Sequence, residues 1–110
     1  MTNWKIEYYN DVVEEELSRW PKKLYARYLR TIDLLEEQGP NLGMALTRAM
    51  GEGLFEIRVK TIEGAGRAFF CVVVDRKIII LHSIIKKTDK TPRKELRLAK
   101  KRLKEVKRYG

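Results

Sequence analysis

Four side chains in this 110-residue chain have types and spacing that could do chemistry on a phosphate: Arg58, Lys60, Arg67 and His82. Arg58 and Lys60 stand two apart in Phe55-Glu56-Ile57-Arg58-Val59-Lys60, where apolar and charged residues alternate, so both cations share one face of a strand. Attack of a 2′-hydroxyl on its own phosphodiester needs a base for that proton, cations for the phosphorane and an acid for the departing 5′-oxygen, and it requires no metal. Histidine changes charge near neutral pH. Lys60, set among Arg58 and Arg67, and His82 are therefore the candidate acid and base. Phe69 beside these cations suits a single-stranded nucleic acid, whose phosphates need charge and whose unstacked bases need a ring. The same residues have plainer readings. A strand histidine is often a packed, hydrogen-bonded side chain, Cys71 is most simply a small core residue, and Gly64-Ala65-Gly66 lacks the spacing of a phosphate loop.

The elements that must position these residues follow from periodicity. Trp4, Ile6 and Tyr8 alternate with Lys5 and Glu7 as a short strand. Asp11 with Glu14 has capping-box spacing, and Val13, Leu17 and Trp20 continue as a short helix closed by Trp20-Pro21. Pro21 opens a second helix with Leu24, Tyr28, Ile32 and Leu35 as its apolar stripe, stopped by Gly39-Pro40. Residues 41–53 read as a long loop or irregular turn. A strand over 54–60, a turn at Gly64-Ala65-Gly66, and strands over 67–74 and 77–85 follow; the last two are apolar on both faces, as strands inside a sheet are. Thr91 is the expected N-cap with Pro92 at the first helical position, and Leu96, Ala99, Leu103 and Val106 form a narrow stripe on an otherwise basic helix. The expected order is βααβββα, an α+β domain spanning the whole chain.

If Lys60 pairs with Arg67, then Phe55, Ile57, Val59, Ala68, Phe70 and Val72 make an apolar face for the helical hairpin, and Arg58, Lys60, Arg67 and Phe69 lie on the opposite, uncovered face. If the next hairpin turns on Asp75-Arg76, Val74 pairs with Lys77 and His82 joins that face opposite Phe69. A three-residue turn moves His82 to the covered face.

Composition narrows the function class. The net charge is 24 − 15 = +9. Residues 1–53 contribute 7 − 9 = −2 and residues 54–110 contribute 17 − 6 = +11, an asymmetry that points to a polyanion partner, although a solvated basic helix would look the same. The longest apolar run, Ala68 to Val74, is far short of the roughly 20 residues of a membrane helix, and the N-terminus has no secretory apolar region. One thiol and one imidazole exclude an internal disulfide and a structural zinc site. A reducing cytoplasm is the expected setting, without a membrane partner.

Gly-Leu-Phe-Glu-Ile-Arg-Val-Lys at 53–60, Gly-Arg-Ala-Phe-Phe at 66–70, Leu-His-Ser at 81–83 and Ile-Lys-Lys-Thr-Asp-Lys-Thr-Pro at 85–92 together resemble the phage-derived HigB-like branch of the RelE/ParE toxin superfamily, from about Trp4 to about Arg108. The resemblance implies a RelE-like fold and the toxin of a type II toxin–antitoxin pair. Such a toxin is an endoribonuclease that binds the ribosomal A site, cuts mRNA without metal or cofactor, and is restrained by a helix-turn-helix antitoxin, reaching operator DNA only through the antitoxin complex. By the same resemblance Arg58 matches a basic position on the second strand, Arg67 the arginine opening the third, and Lys86 or Lys87 a basic position after the fourth. Lys87 joins the catalytic candidates, and Phe69, Lys86, Lys90, Arg93 and Lys94 are the RNA-binding candidates. Glu56 departs from the pattern, standing where some relatives have lysine, and no tyrosine lies between the fourth strand and the last helix. Two other functions compete: a ParE-like poison of DNA gyrase, and a non-catalytic basic RNA- or DNA-binding module.

Overall fold

The computed structural model describes residues 3–43, 45–86 and 91–109. Lys87 and Lys90, expected in the site, lie outside the described residues. The chain runs β1 (Lys5–Tyr8), α1 (Asp11–Ser18), α2 (Lys22–Gln38), β2 (Thr47–Gly51), β3 (Leu54–Thr61), β4 (Gly64–Val73), β5 (Lys77–Lys86) and α3 (Arg93–Tyr109). The five strands form one sheet in the order β1-β5-β4-β3-β2. β1 joins β5 in parallel and the other pairs are antiparallel. The α+β class therefore holds, with one strand more than the sequence predicts. β2 is that strand: it lies within the stretch expected to be a loop, where its short, glycine-broken pattern hides its pairing with β3.

Two layers cover the sheet. Val13, Leu17 and Trp20 with Leu24, Tyr28, Ile32 and Leu35 of α2 pack against Ile57, Val59, Ala68, Phe70, Ile78 and Ile80. On the other face Ala99 and Leu103 of α3 close over Leu54, Phe69, Cys71 and Leu81. The face expected to be uncovered is thus half roofed by α3, because β4 and β5 carry apolar side chains on both sides and both must leave water. The α1 cap is Asn10, whose side chain accepts the Val13 amide at 2.9 Å, rather than Asp11. At α3 the Pro92 carbonyl accepts the Glu95 and Leu96 amides, each at 3.1 Å, so Pro92 sits at the cap position expected for Thr91.

Both hairpins differ from the expected register, with different consequences. The first turns on Ile62-Glu63, so that Arg58 pairs with Arg67 and Lys60 with Ala65. Gly64, Ala65 and Gly66 belong to β4 instead of a turn. Gly66 is needed for space: a Cβ there would stand 2.5 Å from Cη2 of Trp20. A shift of two residues leaves every side chain on its face. The second hairpin has a three-residue connection, Val74-Asp75-Arg76, with Asp75 and Arg76 both left-handed at φ 63° and 56°. That connection alone would turn His82 away, but a bulge between Phe70↔Ile80 and Phe69↔His82 inserts Leu81 and restores the face. His82 therefore does lie opposite Phe69, through two offsetting irregularities.

Candidate functional site

On the α3 side of the sheet, cross-strand pairing builds three successive rows. Arg48, Glu56, Phe69 and His82 form the first, running from β2 to β5. Arg58, Arg67 and Ile84 form the second, and Lys60, Ala65 and Lys86 the third. α3 roofs the sheet up to the first row, where its Glu95 meets His82, and the cations gather on the part it leaves bare.

The centre of this end is a carboxylate. Glu56 is 3% exposed, and its two oxygens lie 3.7 Å from Nε of Arg48, 3.8 Å from Nε of Arg58 and 3.6 Å from Nε of Arg67. These are ion-pair separations beyond hydrogen-bond length. Among the described residues three guanidiniums thus surround this one carboxylate. Their side chains are graded in exposure, 46% for Arg48, 36% for Arg58 and 12% for Arg67. Arg67 is further fixed by donating from Nη1 to the Gly66 carbonyl at 3.3 Å. Cations held by the sheet itself, Arg67 the most buried of them, are suited to stabilising charge on a phosphoryl group.

His82 is 8% exposed, stacks on Phe69 with ring centroids 6.4 Å apart, and its Nε2 lies 2.5 Å from Oε2 of Glu95. The pair ties the first turn of α3 to β5. Phe69 is fully buried beneath Ala99 and Leu103, so its ring presents no face to a base. This corrects the expectation of an exposed stacking platform. Burial also pushes the Cys71 thiol up to about 11, which makes it a packing residue rather than a nucleophile.

Lys60 is exposed, on the same face as Arg58 and two positions further from the helix roof. Lys86 ends the third row and is half-buried. Arg93 and Lys94 are exposed on the first turn of α3, and Arg97, Lys100, Lys101 and Lys104 continue a cationic outer surface along it. Arg102 turns inward, donating to the Leu81 carbonyl at 2.7 Å and lying 4.7 Å over the Tyr9 ring. Tyr9 in turn hydrogen-bonds Glu105. These contacts hold the middle of α3 on the sheet while leaving its lysines outward.

Three contributors escaped the sequence reading. Arg48 lay in the supposed loop, Glu56 looked like a departure rather than a hub, and Glu95 carried one usable signal, an acidic residue in the first turn of a basic helix. Among the described residues no group of three or more His, Cys, Asp or Glu side chains could hold a metal ion, and no helix is long and apolar enough to cross a membrane.

A mainly antiparallel sheet with a parallel first strand, a helical hairpin on one face and a basic helix on the other defines a RelE-like α+β fold. The backbone is similar to that of an Escherichia coli RelE toxin mutant in the free state, with a TM-score of 0.66 over 91% of this chain and 97% of that one, at 9% identity. A chain of the archaeal RelE–RelB complex from Pyrococcus horikoshii OT3 is similar at a TM-score of 0.57, over 79% of this chain and 98% of that one, at 24% identity. At such identities the likeness is one of fold. No curated protein sequence matches the chain. The family pattern of the phage derived protein Gp49-like proteins matches residues 15–104, and the chain belongs to that family.

Proposed function

We propose that this protein is the toxin of a toxin–antitoxin pair, in the HigB-like branch of the RelE-type toxins, and that it arrests translation by cutting mRNA on the ribosome without a metal. The observation that carries this reading is the gathering of Arg48, Arg58 and Arg67 at the end of the sheet beyond α3, with Lys60 in the adjoining row. A scissile phosphate bound there meets cations that are held in place before the reaction begins, so their attraction grows with the charge that develops on the phosphorane. Lys60 is the reachable group for proton transfer from the 2′-hydroxyl. Attack of that oxygen on phosphorus then breaks the bond to the 5′-oxygen, which takes up a proton from the ammonium formed on Lys60 or from water and departs as a 5′-hydroxyl, leaving a 2′,3′-cyclic phosphate. His82, engaged with Glu95 under the helix roof, supports α3 rather than the reacting atoms.

The outer surface of α3 supplies the attraction to ribosomal RNA through its cations and the RNA phosphates. The partner that restrains the toxin is an antitoxin, in keeping with the structural relative solved as a RelE–RelB complex; that it carries a helix-turn-helix domain rests on the sequence resemblance to the HigB-like branch alone. The compartment is the cytoplasm, where translating ribosomes are.

Single-turnover cleavage of mRNA on programmed ribosomes, with saturating protein, tests the reading. Arg58→Ala or Arg67→Ala should slow cleavage roughly 100-fold to 1,000-fold, the usual loss for one preorganised charge donor, while ribosome affinity changes little. Intact mRNA with the parent protein, or cleavage within a few-fold of the parent in both variants, overturns it. Broken chromosomal DNA with untouched translation would point to a gyrase poison instead.

A further inference from the structure

We infer that Glu56 is a positioning residue for the phosphate site: its buried carboxylate gathers the guanidiniums of Arg48, Arg58 and Arg67 into one array and cancels one of their three charges. The inference rests on the proposed chemistry of that site.

Three arginines from three neighbouring strands would not converge unaided. Arg58 and Arg67 are directly cross-strand, a placement that brings like charges together at a cost. Arg48 stands across from Glu56 on the other side, so the carboxylate lies between the two sets. Both oxygens are used: Oε1 faces Arg48 and Arg58, and Oε2 faces Arg67. At 3% exposure Glu56 itself is out of substrate's reach, whereas Arg48 and Arg58 extend past it into solvent at 46% and 36%. A charge that is buried, surrounded by cations and shielded from the substrate can act only through the side chains that it holds. The acidic residue on an otherwise cationic face is therefore part of the site's construction.

This arrangement separates binding from cleavage. Glu56→Gln removes the negative charge and releases the mutual repulsion of the guanidiniums. The cationic end becomes more positive, so a short fluorescein-labelled single-stranded RNA should bind roughly three- to tenfold more tightly, with a salt slope steeper by about 0.7 for one cation freed. Single-turnover cleavage at saturation should nevertheless fall roughly 10-fold to 100-fold, because the donors lose their common geometry. Glu56→Asp keeps the charge but pulls the carboxylate back by one methylene; it should bind RNA like the parent and cleave at an intermediate rate. Circular dichroism establishes folding in each case, and the aspartate variant carries the test if the glutamine variant does not fold. A glutamine variant that cleaves at the parent's rate overturns the inference. So does one whose RNA affinity and cleavage fall in step, as a merely structural role requires. If the parent cuts no RNA, the proposed reaction fails while the affinity and salt slope still decide the role of Glu56.

Discussion

Leu103→Ala should open the roof over the site without unfolding the rest, and Cys71 reports it. Leu103 is 5% exposed and packs with Ala99 against Leu54, Phe69, Cys71 and Leu81, so it supplies much of the apolar grip that α3 has on the sheet. Truncating a buried leucine costs about 2–5 kcal/mol. A single helix lying on one face can settle into the space, so about 2–3 kcal/mol applies here. If α3 detaches as a unit, that loss enters its opening equilibrium, which rises about 30-fold to 150-fold. Cys71 is the chain's single cysteine, is fully buried beneath the helix, and has a thiol that burial pushes up to about 11. Labelling by an aromatic disulfide near pH 8 therefore waits for opening. Under conditions where reclosing outpaces labelling, the rate follows the open population. Leu35→Ala is the control: Leu35 is fully buried in the other core, against the opposite face of the sheet. It should speed labelling only as far as global stability falls. Equal acceleration in the two variants, at matched loss of global stability, would mean that the thiol is reached only by complete unfolding and that α3 is no separable layer.

Gly66→Ala should destabilise the protein by about 1–3 kcal/mol, as overpacking does, because its Cβ would lie 2.5 Å and 2.7 Å from two ring carbons of Trp20; an unchanged melting temperature would mean that the indole swings clear freely. Burial raises the phenols of both Tyr8 and Tyr28, which share a 3.0 Å hydrogen bond. Their folded values exceed the unfolded value near 10, so the protonated forms stabilise the fold fully below about pH 10, and that contribution is lost as the pH climbs further. The urea midpoint should therefore drop as the pH climbs above about 10, and less steeply in Tyr28→Phe; a parallel drop in both would place the lability elsewhere. Reversing Arg97, Lys100 and Lys101 should lower the salt slope of ribosome binding by about one unit for each phosphate that is no longer neutralised, with an unchanged slope marking the helix as a solvated surface.

How much of this was legible in the sequence depended on which errors side-chain alternation forgives. The face of Arg58 followed from strict alternation and that of Arg67 from its pairing across to the same strand, and a register wrong by two residues could not move either. The pairing itself did move, from Lys60 with Arg67 to Arg58 with Arg67, because the glycines at 64 and 66 looked like a turn when Gly66 is there to admit Trp20. His82 reached its place through a longer turn and a bulge, neither of which has a signature in Val74-Asp75-Arg76 or in Ile80-Leu81. β2 was invisible because five residues ending in glycine are too few to show a period, and its pairing with β3 is decided by the surrounding tertiary structure.

The second layer, which the expectation from sequence left off, follows from two observations that belong together. β4 and β5 are apolar on both faces, which requires cover on both, and α3 carries a stripe of Leu96, Ala99, Leu103 and Val106 that requires a surface. Each demand answers the other, and the helix hairpin can satisfy only one side of the sheet. The roof also explains why the chemistry gathers where it does. Phe69, Cys71 and Leu81 are apolar and lie under α3, whereas Arg58, Arg67 and Lys60 stand further along the same face, beyond Glu95. Polarity along β3 and β4 thus changes where the helix ends, and Glu56, buried at that border, balances the cations at the point where apolar cover gives way to water.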